Sequence, residues 1–410
     1  MPRLHGKTIF LILLLLAAIP FCSRAEEPQP QPTRVSLLTV DPGAEIYELD
    51  GHTSLRFITP EGEDFAVNWG VFDFNAPNFL YRFVKGETDY MAWAFPTKFF
   101  LEEYRRAGRT VTEQQLNLTP EEADRLLALT FENLRPENRT YRYNYIYDNC
   151  ATRPLDLVER AAGCQINLPG SDATLPQEAQ PDVTFRSEMT RAHSAYPWYQ
   201  FGIDLALGSG LDISIGPRER IYQPLYLRDA LAEATFPDGR KAVLAPSTPV
   251  RGHDVTLPPT PWYLTPMAAA LLLLAISAAV ALADLRRRKV TRCYDSLFYS
   301  LLFLLSLLLT FLIFVSVHEA TSPNWLYLWI NPLAIIPAAL IWIKKCKRAV
   351  YFYQICNFAL LIVLLAIGIA GIQHLNPAFY PLIAADMLLS ARYIYISRPA
   401  KLPAKSQPKK

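Results

Sequence analysis

Histidine and cysteine are scarce, six of each in 410 residues, and the net charge is only +2. A chain so nearly neutral has no basic field with which to hold nucleic acid, so no nucleic-acid partner is expected. The single His-Glu pair, in VHEATS, has Ser322 where a zinc helix of the H-E-x-x-H type needs its second histidine. That removes metalloprotease chemistry, and neither a metal nor a cofactor is expected. Internal repeats are also lacking.

What is plentiful is apolar sequence, 51% of the chain and unevenly spread. At the N-terminus Arg3 and Lys7 precede an apolar run that ends near the small residues Ser23 and Ala25, which predicts a secretory signal peptide over 1–25. Cys22 follows the bulky Phe21, against a lipidation signal. Beyond 260, runs at 263–284, 296–317, 325–343, 351–373 and 377–397 each approach the roughly 17–25 residues that cross a bilayer. The loops DLRRRKVTR and KKCKRA and the tail KLPAKSQPKK are basic, whereas VHEATSPNW and IQHLNPAF hold no Lys or Arg. The positive-inside rule then puts the basic loops in the cytoplasm and residues 26–260 outside. A multi-pass membrane protein with an exported N-terminal domain is expected.

The exported region opens with a Pro/Gln-rich linker (26–34) and continues as an α+β domain over 35–236. RVSLLTV, SLRFITP and GEDFAVNWGVFDF read as strands from their β-branched and apolar content. TPEEADRLLALTFENLRP predicts a helix capped by Thr119 and stopped by Pro136, and 151–162 a second helix closed by Gly163. Helical pieces follow in 182–230. A Pro-rich connector (237–261) leads into an all-α membrane domain of five spans (262–397) and a basic tail (398–410).

Only Cys150 and Cys164 belong to the mature exported domain. They flank the helix at 151–162, whose rise of about 1.5 Å per residue would hold its ends roughly 20 Å apart, against the ~7 Å that a disulfide tolerates. An unpaired thiol at a helix start invites a different account. The helix dipole and its unpaired N–H groups lower a thiol pKa and can hold an oxyanion. His52, in ELDGHTSLRF, is a candidate base, and Asn68, one strand on, a candidate group to fix the imidazole, with Asp148 as the alternative. Each has a plainer explanation: a buried Cys packs, a His after Gly sits in a turn, and an Asn at a strand end satisfies backbone groups.

GHTSLRF, then VNWGVFDF, then DNCATRPLD resemble the circularly permuted papain-like, NlpC-type order, in which the histidine precedes the cysteine. Lecithin:retinol acyltransferase belongs to that permuted group. The exported domain together with the C-terminal spans resembles the Bacteroidetes lipoprotein N-acyltransferases of the Lnb type over nearly the whole chain after the signal. The resemblance implies Cys150 as nucleophile and His52 as base, with phospholipid as acyl donor, diacylated lipoproteins as acceptors and a cysteine thioester between them. Thr152 departs from the pattern of permuted relatives that carry a histidine two residues past the cysteine.

Arg56 and Arg153 each stand beside a motif residue and could bind phosphate or form structural ion pairs. In the outer membrane loops, His318, Asn324 and His374, with Glu319, Gln373 and Asn376, are candidates for a polar rim that receives a headgroup or the substrate N-terminus. Trp325 and Trp329 read as an aromatic belt and Arg392 as an interfacial anchor, while Asp386 inside a span calls for a partner. Tyr141, Tyr143, Tyr145 and Tyr147 alternate along an extended segment and offer either core or an acyl-chain surface. Arg186 and Asp204 carry no assignable chemistry. Besides acyl transfer, two alternatives remain: a membrane-tethered papain-like peptidase acting on the cell envelope, for which one span would suffice, and a non-enzymatic envelope protein.

Overall fold

The computed structural model describes residues 32–170, 183–245, 248–250 and 259–398. The expected signal peptide, residues 26–31 of the linker, residues 246–247 and 251–258 of the Pro-rich connector and nearly all of the basic tail lie outside them. Among the described residues seven strands form one antiparallel sheet: β1 (Arg34–Val40), β2 (His52–Ile58), β3 (Asp64–Val71), β4 (Asp89–Pro96), β5 (Val111–Gln115), β6 (Thr140–Arg142) and β7 (Thr248–Val250), in the order β6-β4-β3-β2-β1-β5-β7. Strand alternation divides the apolar side chains between two faces. Leu37, Leu55, Phe57, Val67 and Trp69 share one buried core with the helices of one face, and Leu38, Val40, Ala66 and Val111 share another with Phe100.

In chain order this region holds the helices α1 (Phe79–Lys85), α2 (Thr97–Arg106), α3 (Pro120–Leu134), α4 (Thr152–Ala162) and α5 (Phe185–Ala192). The helix expected after Thr119 is α3; the Thr119 hydroxyl accepts from the Glu122 N–H and the Glu122 carboxylate returns the bond, with Pro120 in the first turn. Gly163 ends α4 in the left-handed conformation, φ 72°. Cys150 and Cys164 are both free, at opposite ends of α4.

Then come α6 (Pro197–Ala206), α7 (Pro224–Glu233), α8 (Pro266–Arg287), α9 (Arg292–Phe314), α10 (Ile335–Leu340), α11 (Lys347–Ile369) and α12 (Phe379–Ser397). Among the described residues, three helices are long and apolar enough to cross a membrane: 266–287, 292–314 and 344–369. The span expected at 325–343 is not one helix. Residues Trp325–Leu328 and Pro332–Ala334 form 3-10 turns before the short α10. Pro332 and Pro337 interrupt the helical ladder, and the side chains of Asn324 and Asn331 accept from the Leu326 and Leu333 N–H groups, both at 3.1 Å, in place of helical carbonyls.

The polar groups of α12 point inward. Asp386 accepts from Tyr299 (2.7 Å), Trp329 (2.9 Å) and Asn357 (2.9 Å), and Arg392 is clamped between Asp284 and Asp295. Arg392 is therefore a buried ion-pair centre, not an interfacial anchor, and Trp329 is a buried donor rather than part of the aromatic belt. A charge in lipid must find such partners, which is why these residues sit inside the bundle.

Arg186 and Asp204 find their role at the junction between the two regions. The buried Arg186 guanidinium donates to Asp204 (3.0 Å) and Asp212 (2.7 Å) and to the Gly208 carbonyl (2.7 Å). Asp204 also accepts from Asn376 of the membrane domain at 2.8 Å, and the Gly208 N–H donates to the Ala320 carbonyl at 2.7 Å. Arg186→Met would strand two buried carboxylates. It is expected to lower unfolding stability by about 3–5 kcal/mol, read by denaturant unfolding of the full-length protein in detergent; a loss below about 1 kcal/mol would show that this ion cluster does not hold the junction.

Candidate active site

Gly51 makes the turn into β2. Its φ is +79° and a Cβ there would lie 2.6 Å from the Val40 carbonyl, so no other residue fits without displacement. The turn delivers His52 as the first residue of β2. Asn68 pairs with Ser54 across the β2–β3 ladder, and alternation puts Asn68 and His52 on the same face, as diagonal neighbours. Their side chains meet, His52 Nε2 to Asn68 Oδ1 at 2.9 Å, which leaves Nδ1 for another partner. Asn68 is buried and its Nδ2 has no hydrogen-bond partner.

Cys150 is buried just before α4, in a turn built by Asn149. The Asn149 Oδ1 accepts from the Ala151 N–H (2.8 Å) and the Thr152 N–H (2.9 Å), while the Thr152 hydroxyl accepts from the Asn149 N–H (2.8 Å). The Asn149 amide also donates to the Tyr145 and Tyr222 carbonyls, each at 2.8 Å. The helix-start amides expected to serve an oxyanion are thus taken at 151 and 152 by a side chain. Two contacts join this turn to β2: the buried Thr53 hydroxyl donates to the Cys150 carbonyl, and the Thr53 N–H faces the Cys150 sulfur. The Thr53 N–H belongs to the peptide unit that starts from His52, so one peptide separates the contact on sulfur from the imidazole-bearing residue. The Tyr143 hydroxyl also bonds the sulfur.

Burial, aided by the nearby Arg109 cation and opposed by the bond to Asn68, pushes the His52 pKa down to about 4. Burial likewise raises the Cys150 thiol above its ordinary 9.0; Asp50 adds to this, and the Thr53 amide and Tyr143 offset part of it. At neutral pH the pair is thiol and neutral imidazole. The expectation that the helix start ionises the sulfur is reversed here because desolvation outweighs the dipole, and Asn149 already occupies the helix-end amides.

Asp148 does not meet His52; it forms a two-pronged pair with Arg153, whose guanidinium also lies 3.5 Å from the Tyr141 ring centroid. Arg56 is taken up by Asp64 (2.6 Å) and Glu113 (2.9 Å). The exposed His318 meets the Phe83 carbonyl at 2.9 Å. Asn324 is buried, donates to the Leu205 carbonyl (3.0 Å) and accepts from Gln373 (3.1 Å). His374 is exposed. Sequence reasoning missed Asn149, Thr53 and Arg109, and offered Tyr143 only as core or acyl-chain surface, not as a partner of the sulfur. For Asn149 a signal was present, since Asn before a helix is a common cap; Thr53, Arg109 and the contact of Tyr143 with the sulfur depend on distant segments meeting.

The neutral pair predicts a particular alkylation profile. Iodoacetamide labelling of Cys150 in the folded protein should climb through the alkaline thiol range with no plateau at pH 5–6, and His52→Ala should leave that profile nearly unchanged. A plateau in weak acid that His52→Ala removes would instead reveal a thiolate–imidazolium pair. The sign for stability follows from the same shift: His52 binds its proton less readily folded than unfolded, so its contribution is complete above about pH 6.5 and is lost as pH falls toward 4.

Residues 25–185 match the family of the Lnb N-terminal periplasmic domain, and residues 259–400 match the family of the Lnb transmembrane domain. Neither the curated proteins nor the solved structures contain a match. The two matches follow one another in the order of the two regions described above, an antiparallel α/β domain and a helical domain with several apolar helices. The chain is therefore a multi-pass membrane protein with a periplasmic N-terminal domain and belongs to the Lnb family of membrane enzymes in lipoprotein maturation.

Proposed function

We propose that the protein is a lipoprotein N-acyltransferase in which Cys150 is the nucleophile, His52 the general base and acid, and Asn68 the residue that orients the imidazole. The observation that carries this reading is the meeting of three segments, with the His52–Asn68 bond on one side of the Thr53 peptide and the Cys150 sulfur against its N–H. The His–Cys order and the position of the cysteine before a helix fit a permuted papain-like domain.

Because thiol and imidazole start neutral, proton transfer accompanies attack. His52 Nδ1 takes the thiol proton as Sγ bonds the ester carbonyl of a phospholipid. Collapse of the tetrahedral centre breaks the ester C–O bond, and the imidazolium returns that proton to the departing lysophospholipid alkoxide. The acyl group is then a thioester on Cys150. The α-amine of the diacylglyceryl cysteine of a lipoprotein attacks it, His52 removes a proton from that amine, and the expelled thiolate regains it. Tyr143 and the Thr53 N–H are donors at the reacting centre. Both substrates are lipid-anchored, which gives a reason for a membrane domain larger than a tether.

Mass spectrometry of lipoprotein N-termini tests the assignment. Deleting the protein should abolish N-acylation, and neither Cys150→Ser nor His52→Ala should restore it. Asn68→Ala should retain acylation about a hundredfold slower, as expected for a base held in poor orientation. Normal N-acylation with the Cys150→Ser protein as the sole enzyme would refute the proposal.

A further inference from the structure

Apolar residues exposed singly need no explanation, but a contiguous set does. Tyr47, Phe74, Leu80 and Phe83 are exposed by 64%, 59%, 73% and 47%; the three aromatic residues belong with Phe79 to one ring cluster, and Leu80 follows Phe79 in α1. Ring centroids of Tyr47 and Phe74 are 6.0 Å apart, those of Phe74 and Phe79 5.3 Å, and those of Phe79 and Phe83 6.0 Å.

One end of the cluster is fastened to the outer end of a membrane helix. Tyr81 packs on Phe311 of α9 at 6.1 Å, and the Lys85 carbonyl accepts from the Val317 N–H at 2.8 Å. Gly86, which closes α1 at φ +81°, approaches so closely that a Cβ there would lie 3.1 Å from Val317 Cγ2. Helix α1 therefore sits level with the outer turn of α9, whose neighbouring residues Phe314 and Val315 are themselves exposed and apolar. The other end of the cluster runs inward. Phe72 contacts Tyr90 at 5.1 Å, Tyr90 stacks on Tyr143 at 4.5 Å, and the Tyr143 hydroxyl bonds the Cys150 sulfur. Aromatic contacts thus reach from the bilayer face to the thiol.

We propose that residues 72–83, with Tyr47, form a platform that dips into the outer leaflet and carries the acyl chain of a phospholipid past Tyr90 and Tyr143 to Cys150. The occupant is a lipid chain because the platform is continuous with the lipid-facing surface of α9, and a segment with this much apolar area beside a membrane helix partitions into the interface. The inference rests on the assignment of Cys150 as the acyl acceptor, and its test separates the two.

The full-length protein, reconstituted in phosphatidylethanolamine vesicles doped with phosphatidylethanolamine bearing a diazirine in its acyl chain, is photolysed and digested. Cross-links are expected on peptides containing 72–83 and on those containing Tyr90 or Tyr143, in the wild type and in Cys150→Ser alike. Cross-links confined to residues 262–397 would overturn the platform while leaving the role of Cys150 standing. Conversely, platform cross-links with an active Cys150→Ser protein would remove the nucleophile and keep the platform. Absence of cross-links at 72–83, together with protection of that segment only when lipoprotein is added, would make it a protein-docking face and contradict the proposal. In the double variant Phe74→Asp/Leu80→Asp, KM for vesicle phospholipid should rise at least about tenfold with unchanged alkylation of Cys150. An unchanged KM would also overturn it.

Discussion

The site depends on the hydrogen bond from the Thr53 hydroxyl to the Cys150 carbonyl, which spans 97 positions of sequence between groups that are both buried. It fastens the turn before α4 to the first residues of β2. Together with the Thr53 N–H against the sulfur, it fixes the glycine turn that delivers His52 and the asparagine turn that shapes the cysteine relative to one another. Asn149 does the local part of the work. By taking up the amides at the start of α4, it holds Cys150 outside the helix proper, where the sulfur faces the Thr53 N–H. The cost is chemical: a thiol so enclosed is a weak acid, and the enclosed His52 imidazole, its proposed partner, is a weak base. In the proposed reaction, activation comes from geometry and from the arrival of substrate, not from a standing thiolate.

The membrane region meets the exported domain through polar joints as well as apolar packing. Asn376 on Asp204, Asn324 on the Leu205 carbonyl and the Ala320 carbonyl on the Gly208 N–H connect the outer loops to α6 and the turn after it. Deeper in the bundle, Asp386 and Arg392 bind their neighbours in networks that leave the lipid-facing surface apolar. Buried polar groups of this kind fix one arrangement of helices, since any other would leave them unpaired. A domain fixed in this way would hold the proposed site at a constant height above the bilayer, as the proposed lipid-anchored substrates require.

Much of this was legible in the sequence. Bilayer thickness sets a minimum length for apolar runs, and the basic loops set their direction, so topology could be read without tertiary information. Thr119 and Gly163 marked helix ends because capping is local. The run at 325–343 gave no sign of its division into short turns, because hydropathy does not register that Pro332 and Pro337 lack the N–H a continuous helix would need there. Arg392 and Trp329 looked interfacial because one helix in isolation cannot reveal that Asp284, Asp295 and Asp386 come to meet them. In the site, His52, Asn68 and Cys150 stood out through residue type and order. Thr53 did not, since a threonine in a strand carries no mark until the chain folds, and Tyr143 stood out only for its alternation with other tyrosines, not for its contact with the sulfur. The direction of the thiol shift was misread for a related reason: a helix start is visible in sequence, whereas desolvation by the surrounding side chains is not.

The central claim is that an acyl group passes through the sulfur of Cys150. The most direct measurement is the intact mass of the purified protein after incubation with phospholipid and no lipoprotein acceptor. The account predicts a mass increase of one acyl chain, released by neutral hydroxylamine, mapped to Cys150 and discharged when a diacylated lipopeptide is added. A protein that transfers acyl chains to the lipopeptide while its own mass never changes, or whose adduct maps elsewhere and turns over, would contradict it.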